Sequence, residues 1–225
     1  DSGSSRGLGD VYKRQIVLTS DHGEEFLEHG GWWHGTTLYD EQIHIPLIVK
    51  LAESKWAGTR VPWQVRQLDA PATMALLGGA VLPMEWQGDD LFEEDFEETL
   101  AVLTGGAASA DAGATATEDD DVDAAPPAPT KAELIDHRER VVLSEDNFEG
   151  NVLSSIRKDG FKYIRANEGN PRGLQTEEMY NVVADPGEQD NIAGKNGTVQ
   201  ADLSSALRAE LEAAMAVKVE SQTAE

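Results

Sequence analysis

The chain of 225 residues contains no cysteine, so it can form no disulfide and no thiolate metal site of its own. Aromatic residues make up only 6% of it, and no run of about 18 apolar residues exists that would cross a membrane as a helix. Positive charge is missing from a long stretch. Between Arg66 and Lys131 there is no lysine or arginine, against 15 aspartates and glutamates, and most of the formal net charge of −24 arises there. Such a balance argues against nucleic acid or an anionic membrane as partner, because both are negative. Residues 1–15 also lack the apolar core of a secretory signal.

What is present reads as an ordered protein interrupted once. IVLT (residues 16–19) is a short β-branched run, expected to be a central parallel strand. HIPLIVKL (44–51) is a second strand, with Pro46 near its start, where proline is tolerated. Between them lie a loop rich in Gly, His and Trp and then TTLYDEQIH, long enough for one or two helical turns. Strand, loop, helix and strand is an α/β pattern, in which ligands gather at the carboxyl ends of strands. LDAPATMALLGG (68–79) predicts a helix with Asp69 as N-cap, Pro71 in the first turn and Gly78–Gly79 as the stop. Residues 105–131 turn to Ala, Gly, Ser, Thr, Asp and Pro and cannot bury enough apolar surface to order themselves; they read as an acidic low-complexity linker.

Beyond the linker, RVVLSEDN (140–147) predicts a strand and SSIRKDGFKYIR (154–165) a hairpin turning at Asp159–Gly160. EMYNVV (178–183) is a further strand ended by DPGE. Leu203, Leu207, Leu211 and Met215 recur every four residues as one apolar helix stripe. Residues 132–225 are therefore expected to form a small α+β subdomain, an antiparallel sheet with a terminal helix.

The chemistry concentrates in SDHGEEFLEHGGWWHGTTLYDE (20–41). Asp21 and His22 follow a strand end, and carboxylate and imidazole both bind divalent cations. His29 and His34 follow, each before a glycine, so three of the chain's five histidines share one loop. The spacing matches neither HExxH nor a zinc finger. Taken by itself it fits a metal site or a polar loop of hydrogen-bonded histidines equally.

Four ordered motifs resolve this. IVLTSDHG followed by HGTTLYDE and IPLIV, LDAPATMALLGG followed by QGDDL, RKDGFKYIR, and EEMYNVVADPGEQDNIA together resemble the sulfatases of the alkaline-phosphatase superfamily. The resemblance covers most of residues 16–193 and leaves out the acidic insert. It implies that residues 16–104 are the C-terminal part of an α/β catalytic domain. It implies that Asp21 and His22 are metal ligands, and that His34 stands where many sulfatases carry a lysine touching sulfate or the bridging oxygen. His29 is open between loop structure and substrate contact, and Trp32 and Trp33 between pocket wall and packing. His44 is expected to be structural, and Tyr39, Asp40 and Glu41 to cap and orient the loop.

The implied cofactor is one divalent metal. Calcium is the family's usual ion, commonly beside an Asn where this chain has His22. Imidazole moves the choice toward manganese or zinc, with magnesium also open. The implied substrate is a sulfate ester of a small molecule or carbohydrate. The family's nucleophile is a formylglycine made within C/S-x-P-x-R, which this chain does not contain. The expectation is thus a fragment with about half a metal site, inactive alone. Relatives of the superfamily that hydrolyse phosphodiesters or phosphonates, or transfer phosphoethanolamine, are the nearest alternative. A non-catalytic acidic binding module is the alternative from another class.

The opening supports the fragment reading. DVYKRQ (10–15) is what GATGTGTATAAGAGACAG encodes, the end of a transposase adapter used for sequencing libraries. Residues 1–15 are accordingly expected to be disordered adapter translation, with the protein's own sequence starting at Ile16 and its true N-terminus missing. That leaves a periplasmic, secreted or cytoplasmic setting open.

Overall fold

The structure, a computed structural model, describes residues 14–61, 63–83, 85–92, 96–103 and 140–223. The expected adapter segment and the acidic linker lie outside the described residues, apart from Arg14 and Gln15. The elements run β1 (Ile16–Thr19), β2 (Glu25–Phe26), β3 (Trp32–Trp33), α1 (Asp40–Ile43), β4 (Leu47–Lys50), α2 (Asp69–Leu77), α3 (Phe96–Leu103), β5 (Val142–Phe148), β6 (Asn151–Lys158), β7 (Phe161–Ala166), β8 (Glu177–Asn181) and α4 (Gly197–Thr223).

The best-packed part is the antiparallel sheet β5-β6-β7-β8. Asp159 and Gly160 both have positive φ, as a two-residue type I′ turn requires, and the turn sets Lys158 opposite Phe161 and Arg157 opposite Lys162. Side chains then alternate between two faces. Ile156, Tyr163 and Met179 point to α4 and bury Leu203 and Leu207. Ile164 and Tyr180 point the other way, against Tyr39 of the histidine-rich loop. One face of the sheet is thus covered by a helix and the other by the segment that carries the candidate site. The helix stripe is buried through Leu207 and partly at Leu211, but Met215 is 59% exposed. A helix of this length spans about 40 Å, more than the sheet beneath it.

Two expectations need correction. β1 does not stand as a central parallel strand: among the described residues it pairs antiparallel with β4, with Ile16 opposite Lys50 and Thr19 opposite Leu47. A parallel return needs a crossover lying back over the same sheet. Here the intervening chain docks on the C-terminal sheet instead, and α1 is only four residues long. Ile16, Leu18 and Ile48 are consequently more than half exposed. Asp69 does not cap α2 either. It is the first helical residue, with its carboxylate fully buried and turned to Arg66, Arg140 and the backbone N–H groups of Arg66 and Asp89. The helix does stop at Gly78, and Gly79 has positive φ.

The helix α3, which the pattern did not announce, buries Phe96 and Leu100. Phe96 meets Trp56, Trp63 and Phe92 in a small aromatic cluster.

Candidate active site

β1 ends at Thr19 and hands the chain to Ser20, Asp21 and His22. Gly23 then lets two backbones touch: its N–H donates to the Gln42 carbonyl at 2.7 Å, and a Cβ there would lie 2.0 Å from the Glu41 oxygen. This pins the strand end to α1. Asp21 is exposed, and its Oδ1 accepts the His22 N–H at 3.0 Å. Backbone N–H groups, its own and that of His22, hold its carboxyl below the usual range. His22 Nδ1 sits 2.7 Å from the Gly23 carbonyl, so it carries the proton and donates. The lone pair then resides on Nε2, which lies 3.7 Å from Asp21 Oδ2. That spacing suits two donors sharing one cation, each about 2.1 Å away. Two donors are fewer than any common divalent ion takes, and among the described residues no cluster of three His, Cys, Asp or Glu side chains forms a metal site.

His34 stacks on His22 with ring centroids 3.8 Å apart. Its Nδ1 is 3.1 Å from Glu24 Oε1, which orients the ring. Asp21, His22, His34 and His44 all line a cleft of about 830 Å³, which is also lined by β5 and by Glu210, Ala213 and Ala214 in the middle of α4.

His29 stands apart from that cleft lining. Its Nδ1 is 2.7 Å from Glu41 Oε1, its Nε2 is 3.1 Å from the Glu188 carbonyl, and its ring stacks on Tyr39 at 3.7 Å. Burial opposes charge on this ring, but the Glu41 hydrogen bond and the Glu188 carbonyl outweigh it and raise its pKa. His29 is thus hydrogen-bonded to Glu41 and to the Glu188 backbone. His44 is exposed and lies 3.5 Å from Asp40. Trp32 and Trp33 are exposed as well, on the short β2–β3 ribbon, with Trp32 edge-on to Phe26.

The loop is held from below by charges whose role was not read from the sequence. Lys162, fully buried, places Nζ 2.6 Å from Asp40 Oδ1, 2.8 Å from Glu188 Oε1 and 3.0 Å from the Leu38 carbonyl. Arg157 reaches the same Asp40 at 2.6 Å. Burial would raise the Asp40 carboxyl, but His44, Lys162 and Arg157 together hold it well below the usual range. Glu188, by contrast, is pushed up by burial against the pull of Lys162. Glu25 is fully buried too. It accepts from the Gly31 N–H at 2.7 Å, from Arg172 at 2.7 Å and from Gln42 at 3.2 Å. Arg172 packs so close that a Cβ on Gly31 would lie 2.3 Å from its Nη2. The Tyr39 hydroxyl donates to Glu178 at 2.7 Å; burial first, and that carboxylate second, push the phenol pKa up.

No protein-family model matches the chain. Arylsulfatase K of Bos taurus is 26% identical over 214 residues, which is 90% of this chain and 32% of that protein. Among solved structures, a protein assigned as a sulfatase from Bacteroides thetaiotaomicron superposes with TM-score 0.55 at 22% identity, covering 93% of this chain and 38% of that one. A structure described in complex with its substrate, D-glucosamine-2-N,6-O-disulfate, gives 0.56 at 20% identity, over 88% and 34%. The phosphonate monoester hydrolase of Silicibacter pomeroyi gives 0.54 at 22%, over 89% and 34%. The fold is similar to that of these sulfatase structures over the part superposed. In sequence the chain is similar to Arylsulfatase K, and it spans about a third of the length of the relatives it matches.

Proposed function

We propose that the cleft is part of a metal-dependent sulfuric-ester hydrolase site, in which Asp21 and His22 hold a divalent cation and His34 contacts the sulfate. The observation that carries this is the fixed orientation of His22. The Gly23 carbonyl accepts a hydrogen bond from Nδ1–H and leaves Nε2 facing the Asp21 carboxylate, with His34 stacked alongside. A cation bound there would act as a Lewis acid on a sulfate oxygen. His34, oriented by Glu24 through Nδ1, presents Nε2 for a hydrogen bond to the bridging oxygen, and in its protonated form can give that oxygen a proton as the alcohol leaves. The Asp40–Lys162–Glu188 network below keeps the loop from shifting as charge develops.

The chain has neither cysteine nor Ser-x-Pro-x-Arg, so on this reading it supplies two of the metal ligands and a sulfate contact but not the formylglycine nucleophile. The chain alone is therefore expected not to hydrolyse sulfate esters at rates typical of whole sulfatases, and turnover at such rates would refute this. The substrate class is a sulfate ester of a small molecule or carbohydrate.

Ring-proton NMR of the five histidines tests the metal assignment. Titrated Mn²⁺ should broaden His22 and His34 strongly and His29 weakly, and Asp21→Asn or His22→Ala should remove the effect. Uniform broadening would sink it. A second reading, phosphonate or phosphodiester hydrolysis, is favoured by one residue: His22 supplies nitrogen where a calcium site would have an amide oxygen. Tighter binding of a phosphonate monoester than of its sulfate counterpart would support it.

A further inference from the structure

β5 is the edge strand of the C-terminal sheet, and its face toward the loop carries Val142, Ser144, Asp146 and Phe148 in alternation. Phe148 fixes that face against the histidine-rich loop: a Cβ on Gly35, next to His34, would lie 3.3 Å from the Phe148 ring. Asp146 is two residues earlier on the same face, about 7 Å further along. It lines the same cleft as Asp21, His22 and His34. Its Oδ2 is buried and accepts no hydrogen bond, and its cross-strand neighbour is the buried, apolar Leu153. Burial accordingly pushes its carboxyl upward. The cations of this sheet face are committed elsewhere, Arg157 and Lys162 to Asp40. A buried carboxylate oxygen without a donor calls for a reason in a native fold.

We propose that Asp146 is a specificity-determining residue of the cleft, accepting a hydroxyl or amino N–H from the alcohol part of the sulfate ester. It thereby selects sugar sulfates over aryl sulfates. This rests on the reading of the cleft as a sulfate-ester site. The sulfate group would sit at His22 and His34, and the first sugar ring would bridge the gap to β5. An aryl group has no donor to offer there, so its complex would leave Oδ2 unsatisfied. A polyhydroxylated or amino sugar satisfies it.

The test is a chemical-shift titration of the full chain with glucosamine 6-sulfate and, separately, phenyl sulfate. Asp146→Ala should weaken the sugar sulfate about tenfold, the loss of one hydrogen bond to a charged group, and change phenyl sulfate by less than about twofold. The unfolding midpoint of the variant should fall little, because the one protein hydrogen bond removed is that from the Asn147 backbone N–H. A clear fall would assign Asp146 to the scaffold and overturn the proposal. Equal weakening of both ligands, or of neither, overturns the Asp146 assignment alone. Failure of both ligands to bind the unaltered chain overturns it together with the sulfate-ester reading.

Discussion

The two faces of the C-terminal sheet are held by different physics. Toward α4 the contacts are apolar: Ile156, Tyr163 and Met179 close on Leu203 and Leu207. Toward the histidine-rich loop they are largely ionic, with Arg157 and Lys162 gripping Asp40 and Glu188. Apolar burial is strong but non-directional, so it supplies stability without fixing a neighbour to a fraction of an ångström. Buried ion pairs are costly to assemble, yet they define position. The helix face therefore makes the subdomain stable, and the loop face places the site.

The largest expected effect breaks the ionic face. Lys162→Met leaves the Glu188 carboxylate buried without its cation and Asp40 with Arg157 alone. It should cost about 3–5 kcal/mol in urea unfolding, and in whatever fraction stays folded it should shift the ring resonances of His29. Leu207→Ala attacks the other face. It opens a cavity beneath α4 and should cost about 2–4 kcal/mol while leaving the resonances of His22, His29 and His34 in place. If the second variant disturbed the loop histidines as much as the first, the division of labour would be wrong.

The smallest effect is a pH dependence that sharpens the contrast. His29 has a folded pKa above the ordinary imidazole value of about 6.5. The stability it contributes is fully present below that unfolded value and is lost as pH rises through the folded one. The difference in unfolding midpoint between the unaltered chain and His29→Gln should therefore shrink on going from about pH 5 to about pH 9. A constant difference would show that His29 does not hold the loop through its charge. The apolar face predicts no matching trend for Leu207→Ala.

Several features were legible in the residues. The type I′ turn at Asp159–Gly160, the buried Leu203 and Leu207, the stop at Gly78 and the short helix after Tyr39 all follow from local rules. Asp21, His22 and His34 were picked out as chemistry-bearing types, and they do share one cleft. The pairing of β1 and the burial of Asp69 were misread because each depends on partners distant in the chain, β4 for one and Arg140 for the other. Lys162 was missed for a related reason. In FKYIR it alternates with Phe161 and Tyr163, which reads as a solvent-facing lysine on a one-sided sheet. The alternation holds, but the loop covers that face and buries Lys162.

The sequence by itself determined the local frame. The two-residue turn makes Arg157 and Lys162 cross-strand neighbours whatever the rest of the chain does, and the run SDHG puts a carboxylate and an imidazole at a strand end. Only the tertiary structure decided what those groups meet. That Lys162 closes on Asp40, that Phe148 seats against Gly35 and that Asp146 Oδ2 is left without a donor all follow from docking the loop on the sheet. The physical reason is range. Turn geometry and side-chain alternation act over a few residues, whereas desolvation and ion pairing are set by whichever surface arrives from far along the chain.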